Sequence, residues 1–387
     1  MTTETRTLFN YPITSPVLPD ASVLLEDIRK VFVSGRVTMG KNVEALEQEI
    51  CVRLKVKHSL AVSSATSGLI LLLRALSLPS NSEVITPSFT FAATAHALLW
   101  NGLKPVFCDS EPHSFTMDAS AAEMLVTKRT SAIYPVCIFG VPGDMDSYEQ
   151  LARAHDLVLI FDSAQGLGSS YKGKALGSFG MAEVFSLSPT KVVTALEGGL
   201  ITTNNDALAD QLRHMRDYGK APDGEDMRWL GLSARMNEVN AIVARWSLAR
   251  LDGWIANRAA ALERYKQNLQ AVPGIDFQHI PPHCTSTLNY VVIQIDPDTC
   301  PITRNELHAR LKNQSVQTKR YFYPAVHNQS LYRNTDSDSS VRLEVAEKIS
   351  SQGLALPLYS NMNASDVDEI CNRVIKCIRQ PVIRQSN

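Results

Sequence analysis

Four short stretches carry side chains that could do chemistry together. In the run SLSPTK, residues 186–191, Ser186 precedes Lys191 by five positions, and Glu197 opens a Glu-Gly-Gly turn six residues later. A lysine amine kept from bulk water is a nucleophile and a proton carrier, although a lysine in a loop is most often simply solvated. In FDSAQG, residues 161–166, Asp162 follows the apolar run Leu157–Phe161 and so emerges at the carboxyl end of a strand, where capping a turn is its ordinary role. SSATSG, residues 63–68, is a string of small residues between a strand and a helix. Backbone N–H groups at a helix start, with hydroxyls from Ser64, Thr66 or Ser67, suit a phosphate, whereas an N-cap accounts for only one or two of these residues. The fourth is Phe91, a flat aromatic after EVITPS, whose default place is a core.

Taken together these supply an amine, a carboxylate, a phosphate cradle and an aromatic face. Pyridoxal phosphate asks for that set: a lysine for a covalent imine, an acid beside the pyridine nitrogen, donors to the phosphate and a ring to stack on.

The elements that must position these groups alternate along the chain. Short apolar stretches rich in β-branched or aromatic residues occur at 59–62, 83–86, 105–108, 133–139, 157–161 and 183–187, with helical stretches such as 69–76, 92–100 and 145–155 between them. Strands apolar throughout, alternating with helices, predict a mainly parallel sheet covered on both faces, and open α/β sheets place ligands at the carboxyl ends of their strands. Earlier, Leu24, Leu25, Ile28, Val31 and Phe32 recur at helical spacing, with Asp20 or Ser22 as cap and Gly35 as stop, and a second amphipathic run covers 43–54. From Met236 to about Leu269 the pattern reads as one long helix; after Pro273-Gly274 come an alternating strand at 288–295, a helix at 304–311 and a terminal amphipathic helix at 365–378. The expected organisation is a large α/β domain over residues 1–250 and a smaller α+β domain over 251–387, with a short polar loop at 335–340.

Composition narrows the class. Thirty-eight Lys and Arg against 39 Asp and Glu leave a net charge of -1, which gives no general attraction to nucleic acid or anionic lipid. The start MTTETRT lacks the apolar core of a signal peptide, and the run GLILLLR at 68–74 ends on an arginine before it could span a bilayer. Seven cysteines without a Cys-x-x-Cys pair fit a reducing cytoplasm, and DGED at 223–226 has no histidine at metal-ligand spacing, so no metal site is expected.

The chain resembles the DegT/DnrJ/StrS family of sugar aminotransferases, which have the type I fold of aspartate aminotransferase. The resemblance runs from SGRVTMG at 34–40 to LPLY at 356–359, through EVITPSFTF, KPVFCD, FDSAQ, FSLSPTKVVTALEGG and RMNEVNA. It makes Lys191 the lysine that carries the cofactor and Asp162 the partner of its ring nitrogen. Gln165 takes a position near the ring and its hydroxyl, and Phe91 that of the stacking aromatic. Ala65, Thr66 and Ser186 match phosphate-binding positions. Ser233 stands where many relatives carry an asparagine that reaches the neighbouring subunit's cofactor phosphate. Ala65 replaces a glycine, and Cys137 stands where relatives commonly have histidine. The implied activity is transfer of an amino group from glutamate to a keto group of a nucleotide-linked sugar by a homodimer with shared sites. The segment 92–104 most resembles members acting at C4, with C3 and cyclitol enzymes close behind. Dehydratases of the family replace the lysine with histidine, so Lys191 favours transamination over a lyase reaction. His327, in the family segment YFYPAVH, is read either near the substrate mouth or as a structural residue.

Overall fold

A strand that is apolar on both faces has to be covered on both, and this requirement decides the architecture. The computed structural model describes residues 9–333 and 342–380; the amino-terminal residues 1–7 and the polar loop read at 335–340 lie outside them. The first five strands are β1 (His58–Val62), β2 (Glu83–Pro87), β3 (Lys104–Cys108), β4 (Thr130–Ile133) and β5 (Val158–Asp162). A small hairpin of β6 (Ser170–Tyr171) and β7 (Lys174–Ala175) precedes β8 (Ala182–Ser186) and β9 (Gly199–Thr203). Seven of these form one mixed sheet in the order β1-β9-β8-β5-β4-β2-β3. The five from β8 to β3 are parallel, and β9 lies antiparallel between β8 and β1.

Side-chain alternation splits the sheet between two cores. Ile160, Val184 and Ile201 face one layer, with Leu69, Leu72, Leu98 and Leu212; their chain neighbours Phe161, Phe185 and Leu200 face the other, with Leu46, Ile50, Tyr148 and Ala244. After helices α1 (Ala21–Ser34) and α2 (Lys41–Leu54), the first layer is built by α3 (Ala65–Ala75) and α4 (Ala92–Trp100), joined by a later helix at Asp206–Met215. On the opposite side lie two helices at Lys41–Leu54 and Met145–Ala154, with a third at Glu238–Leu248. The amino-terminal helix Ala21–Ser34 is capped by Asp20 and stopped by Gly35 (φ 67), as its sequence predicts, but only its Leu24–Val31 stripe is buried; Leu25 and Phe32 are exposed.

The expected long helix over 236–269 is two, Glu238–Leu248 and Leu251–Leu269. No Gly or Pro marks the break at Ala249-Arg250. The Arg250 guanidinium lies over the Trp246 ring at 3.9 Å and donates to the Trp246 carbonyl at the end of the first helix. Leu251 and Trp254 are meanwhile turned into the core. The second helix leads to a three-stranded antiparallel sheet of Ile275–Phe277, Val291–Ile295 and Gly353–Leu356, covered by that helix and by the terminal helix Ala364–Arg379. Residues 10–13 join this part: Tyr11 pairs with Val316, and Ile13 N–H donates to the Gln317 side chain. The strand expected at 133–139 ends at Ile133; the chain beyond leaves the ladder and touches β5 once, at Val136 opposite Asp162.

Register then sets the active edge. Gly199, the first residue of β9, pairs with both Val62 at the end of β1 and Ser186 at the end of β8. The Glu-Gly-Gly turn works differently from the expectation. Neither glycine adopts a left-handed backbone; Leu196 does (φ 66). Gly199 serves close approach, since a Cβ there would come within 2.5 Å of the Ala65 nitrogen. Gly199→Ala is therefore expected to destabilise the protein by about 1–3 kcal/mol, more than Gly198→Ala, whose Cβ meets no backbone atom and comes closest to the flexible end of Met236, with the Ala195 Cβ at 3.1 Å. Chemical denaturation of the two variants checks the order.

Candidate active site

The ends of β1, β2, β5 and β8 open on one cavity of about 290 Å³, also lined by Tyr290, Lys319, Tyr321 and Phe322. Among its lining residues are Ala65, Thr66, Phe91, Asp162, Gln165, Ser186 and Lys191.

At the helix end, Ser64 caps α3 and forms a capping box with Ser67: its hydroxyl accepts from the Ser67 N–H, and the Ser67 hydroxyl accepts from the Ser64 N–H. Two of the three hydroxyls considered for a phosphate are thus engaged by the helix itself. That leaves the exposed Thr66 hydroxyl and the first-turn N–H groups of Ala65 and Thr66, which have no acceptor one turn back. Ser186 stands beside them at the end of β8, 8% exposed, its hydroxyl accepting from the Ser188 N–H at 3.3 Å.

At the other end lies Asp162, 4% exposed. Its carboxylate accepts from the Thr94 hydroxyl at 2.7 Å and from the Ala164 N–H at 3.0 Å, and the Thr94 hydroxyl in turn pairs with Thr90. Burial pushes the Asp162 pKa above the ordinary aspartate value, against the pull of those two hydrogen bonds and of the Lys191 charge. A buried carboxylate with two neutral donors favours a cationic partner, and the protonated ring nitrogen of pyridoxal phosphate is one. Thr94 escaped the sequence reading, because nothing in TFAATA tells that the first turn of α4 lies over the end of β5.

Lys191 is half-buried in a loop whose base is closed by Leu187 N–H to Gly198 O and Ala195 N–H to Leu187 O. Gln165 gives its side-chain oxygen to the Phe139 N–H at 2.6 Å, leaving the amide nitrogen as the group it offers to the cavity. Phe91 is no core residue: it holds the N-cap position of α4 and is 61% exposed on the cavity. Cys137 lines the same wall, and burial pushes its thiol well above the usual range, so a neutral group stands there. Tyr290, 4% exposed, accepts from the Tyr321 hydroxyl at 3.2 Å. Burial pushes its phenol up, but Lys191, the bonds with Tyr321 and Thr190, and Lys319 together bring it below the ordinary tyrosine value.

Two residues lie elsewhere. Ser233 is exposed and outside this cavity, its hydroxyl accepting from Arg235 at 3.2 Å. His327 is also outside the lining; its ring joins the Ser88 hydroxyl on one side and the Glu347 carboxylate on the other, tying the end of β2 to the helix Glu344–Gln352.

The model of the DegT/DnrJ/EryC1/StrS aminotransferase family matches residues 20–375. The chain belongs to that family. Among solved structures it is similar to DesI, solved in the presence of its TDP-sugar product, with 32% identity, a TM-score of 0.89, and coverage of 95% of this chain and 93% of that one. Helicobacter pylori PseC, an aminotransferase of pseudoaminic acid biosynthesis, follows at 27% identity and 0.88, covering 95% and 99%. The Escherichia coli GDP-4-keto-6-deoxy-D-mannose-3-dehydratase with bound hydrated pyridoxal phosphate shares the fold, at 22% identity and 0.87 over 95% and 100%. The protein is a pyridoxal-phosphate-dependent aminotransferase of fold type I.

Two outcomes follow from the buried carboxylate. Thr94→Val, which keeps the shape and removes the donor, is expected to weaken cofactor binding about 5- to 20-fold, read by fluorescence titration. The second concerns stability. A folded-state pKa raised above 3.8 means the folded protein binds the proton more tightly, so the contribution of Asp162 to stability falls as pH rises from that value through its raised one. Cofactor-free wild type should lose stability relative to Asp162→Asn over that window, and a difference flat with pH contradicts it.

Proposed function

We propose that the enzyme transfers an amino group from glutamate to a keto group of a nucleotide-linked deoxysugar, at C4 first and C3 second, in the making of surface-polysaccharide or natural-product sugars. The observation that carries this reading is Lys191 and Asp162 on the walls of one cavity, beside a helix start with unused phosphate donors. The fold alone does not choose the reaction, because a dehydratase shares it. The retained lysine does: an amine can take a proton from one carbon and return it to another.

In this reading Thr66, the first-turn N–H groups of α3 and Ser186 hold the cofactor phosphate, Phe91 covers a ring face and Gln165 meets the ring edge. Pyridoxal phosphate, when bound, supplies the electron sink for the carbanion at the reacting carbon. Asp162 keeps the proton on the ring nitrogen. The Lys191 amine removes the proton from the donor's α-carbon and returns it, and the same two residues serve the keto sugar in reverse. Support for the sugar comes from the relatives, one solved with a TDP-sugar.

We further propose a homodimer in which Ser233 reaches the partner's cofactor phosphate. It is exposed outside its own cavity, and exposed apolar Leu230, Leu232, Leu25 and Phe32 are left without cover within the chain. A cytoplasmic location fits seven cysteines that all stand unpaired.

The purified protein should carry a visible absorption band that glutamate bleaches and a keto-sugar nucleotide restores. Borohydride should fix the cofactor on Lys191, and Lys191→Ala should be colourless with activity down by at least about a thousandfold. Water loss from the sugar without amine gain points instead to a lyase.

A further inference from the structure

Lys319 lies on the cavity wall, and the reaction just described gives it no task. Its backbone is clamped to the small sheet: the N–H donates to Ala355 O at 3.2 Å and the carbonyl accepts from Ala355 N–H at 2.8 Å. Its ammonium stands over the Tyr321 ring, 4.7 Å from the centroid. Its neighbour Arg320 goes elsewhere, over Tyr323 and onto the Asn305 side chain. An exposed lysine is ordinarily spread over many rotamers in water; here an aromatic face holds it at the mouth of the site. Beside it the Tyr290 and Tyr321 hydroxyls are joined at 3.2 Å, and the Tyr290 phenol feels the charges of both Lys191 and Lys319.

We propose that Lys319, with the Tyr290 hydroxyl that Tyr321 orients, is the anchor for the anionic group of the substrate, and that this group is the carboxylate of the amino donor. The proposal rests on the aminotransferase reading of the site. An amino acid carries its α-carboxylate one bond from the carbon whose proton Lys191 must take, so the anion has to be held within a few ångströms of the reacting atoms. An ammonium and the Tyr290 phenol O–H sharing a wall with Lys191 meet that demand. A nucleotide's phosphates present the same chemistry to an ammonium, but a whole sugar ring separates them from the keto carbon.

The test uses the cofactor-loaded enzyme and its two half-reactions, each followed by the visible band, in wild type, Lys319→Met and Lys319→Arg. Lys319→Met should raise the glutamate concentration for half-maximal rate about 10- to 100-fold with the limiting rate within a few-fold, and Lys319→Arg should restore most of it. The dependence on keto-sugar nucleotide should stay unchanged. A shift confined to the sugar arm overturns the carboxylate assignment and gives the ammonium to the phosphates; no shift in either arm overturns the anchor. If wild type never bleaches with glutamate, the reading of glutamate as the donor itself fails. Calorimetric binding of 2-oxoglutarate to the cofactor-free protein then decides the anchor alone: loss in Lys319→Met upholds it, and equal binding removes it.

Discussion

A carboxylate taken out of water without a counter-ion is the constraint on which this structure turns. Asp162 sits at the end of a strand whose two faces are both covered and is 4% exposed, and the Thr94 hydroxyl, the Ala164 N–H and the nearby Lys191 charge stand against the cost of its own charge. That cost makes the site receptive to a cation. A protonated ring nitrogen placed there would gain a favourable interaction with the carboxylate, which in turn would favour its staying protonated. Moving Asp162 one residue along β5 would turn it to the other face, since side chains alternate along a strand.

The rest of the site is arranged around this fixed point by pairing register. Gly199 is bonded to the ends of both β1 and β8, which brings the start of α3 and Ser186 together at the phosphate end. The backbone of Ala65 packs so close that only glycine fits opposite. The loop carrying Lys191 leaves from β8 and returns to β9, so its lysine must come back over the same strand ends. The small sheet closes the cavity with aromatic residues and Lys319, and its antiparallel ladder gives those groups a rigid base.

Local chemistry was legible where it depends on neighbours in sequence. Asp20 and Gly35 bound their helix as read, and the serine-rich run after β1 does start α3. Of the residues expected at the cofactor, Ala65, Thr66, Phe91, Asp162, Gln165, Ser186 and Lys191 line one cavity because each lies close after a strand, and parallel strands end together, whereas Ser233 lies outside it. What depends on distant packing was not legible. The break at Ala249-Arg250 has no breaker residue, and comes from Leu251 and Trp254 turning to a core that the second helix must meet at a new angle. The capping box took Ser64 and Ser67 out of the phosphate set, a competition that spacing alone leaves open. The left-handed residue of the Glu-Gly-Gly stretch proved to be Leu196, so its glycines answer to proximity, which no dihedral preference reveals.

By itself the sequence pointed to the class of chemistry: an amine, an acid, a run of small residues at a helix start and an aromatic, each close to a strand end, admit few cofactors. It determined these things because strand alternation, helix capping and turn composition act over a few residues. Only the tertiary structure decided how those groups are tuned. Thr94 reaching Asp162 across 68 residues, Tyr290 poised between two lysines, and Lys319 held over Tyr321 are contacts between elements remote in the chain. Electrostatics of this kind is set by burial and through-space distance, and both arise only when the sheet, its helices and the small domain close on one another.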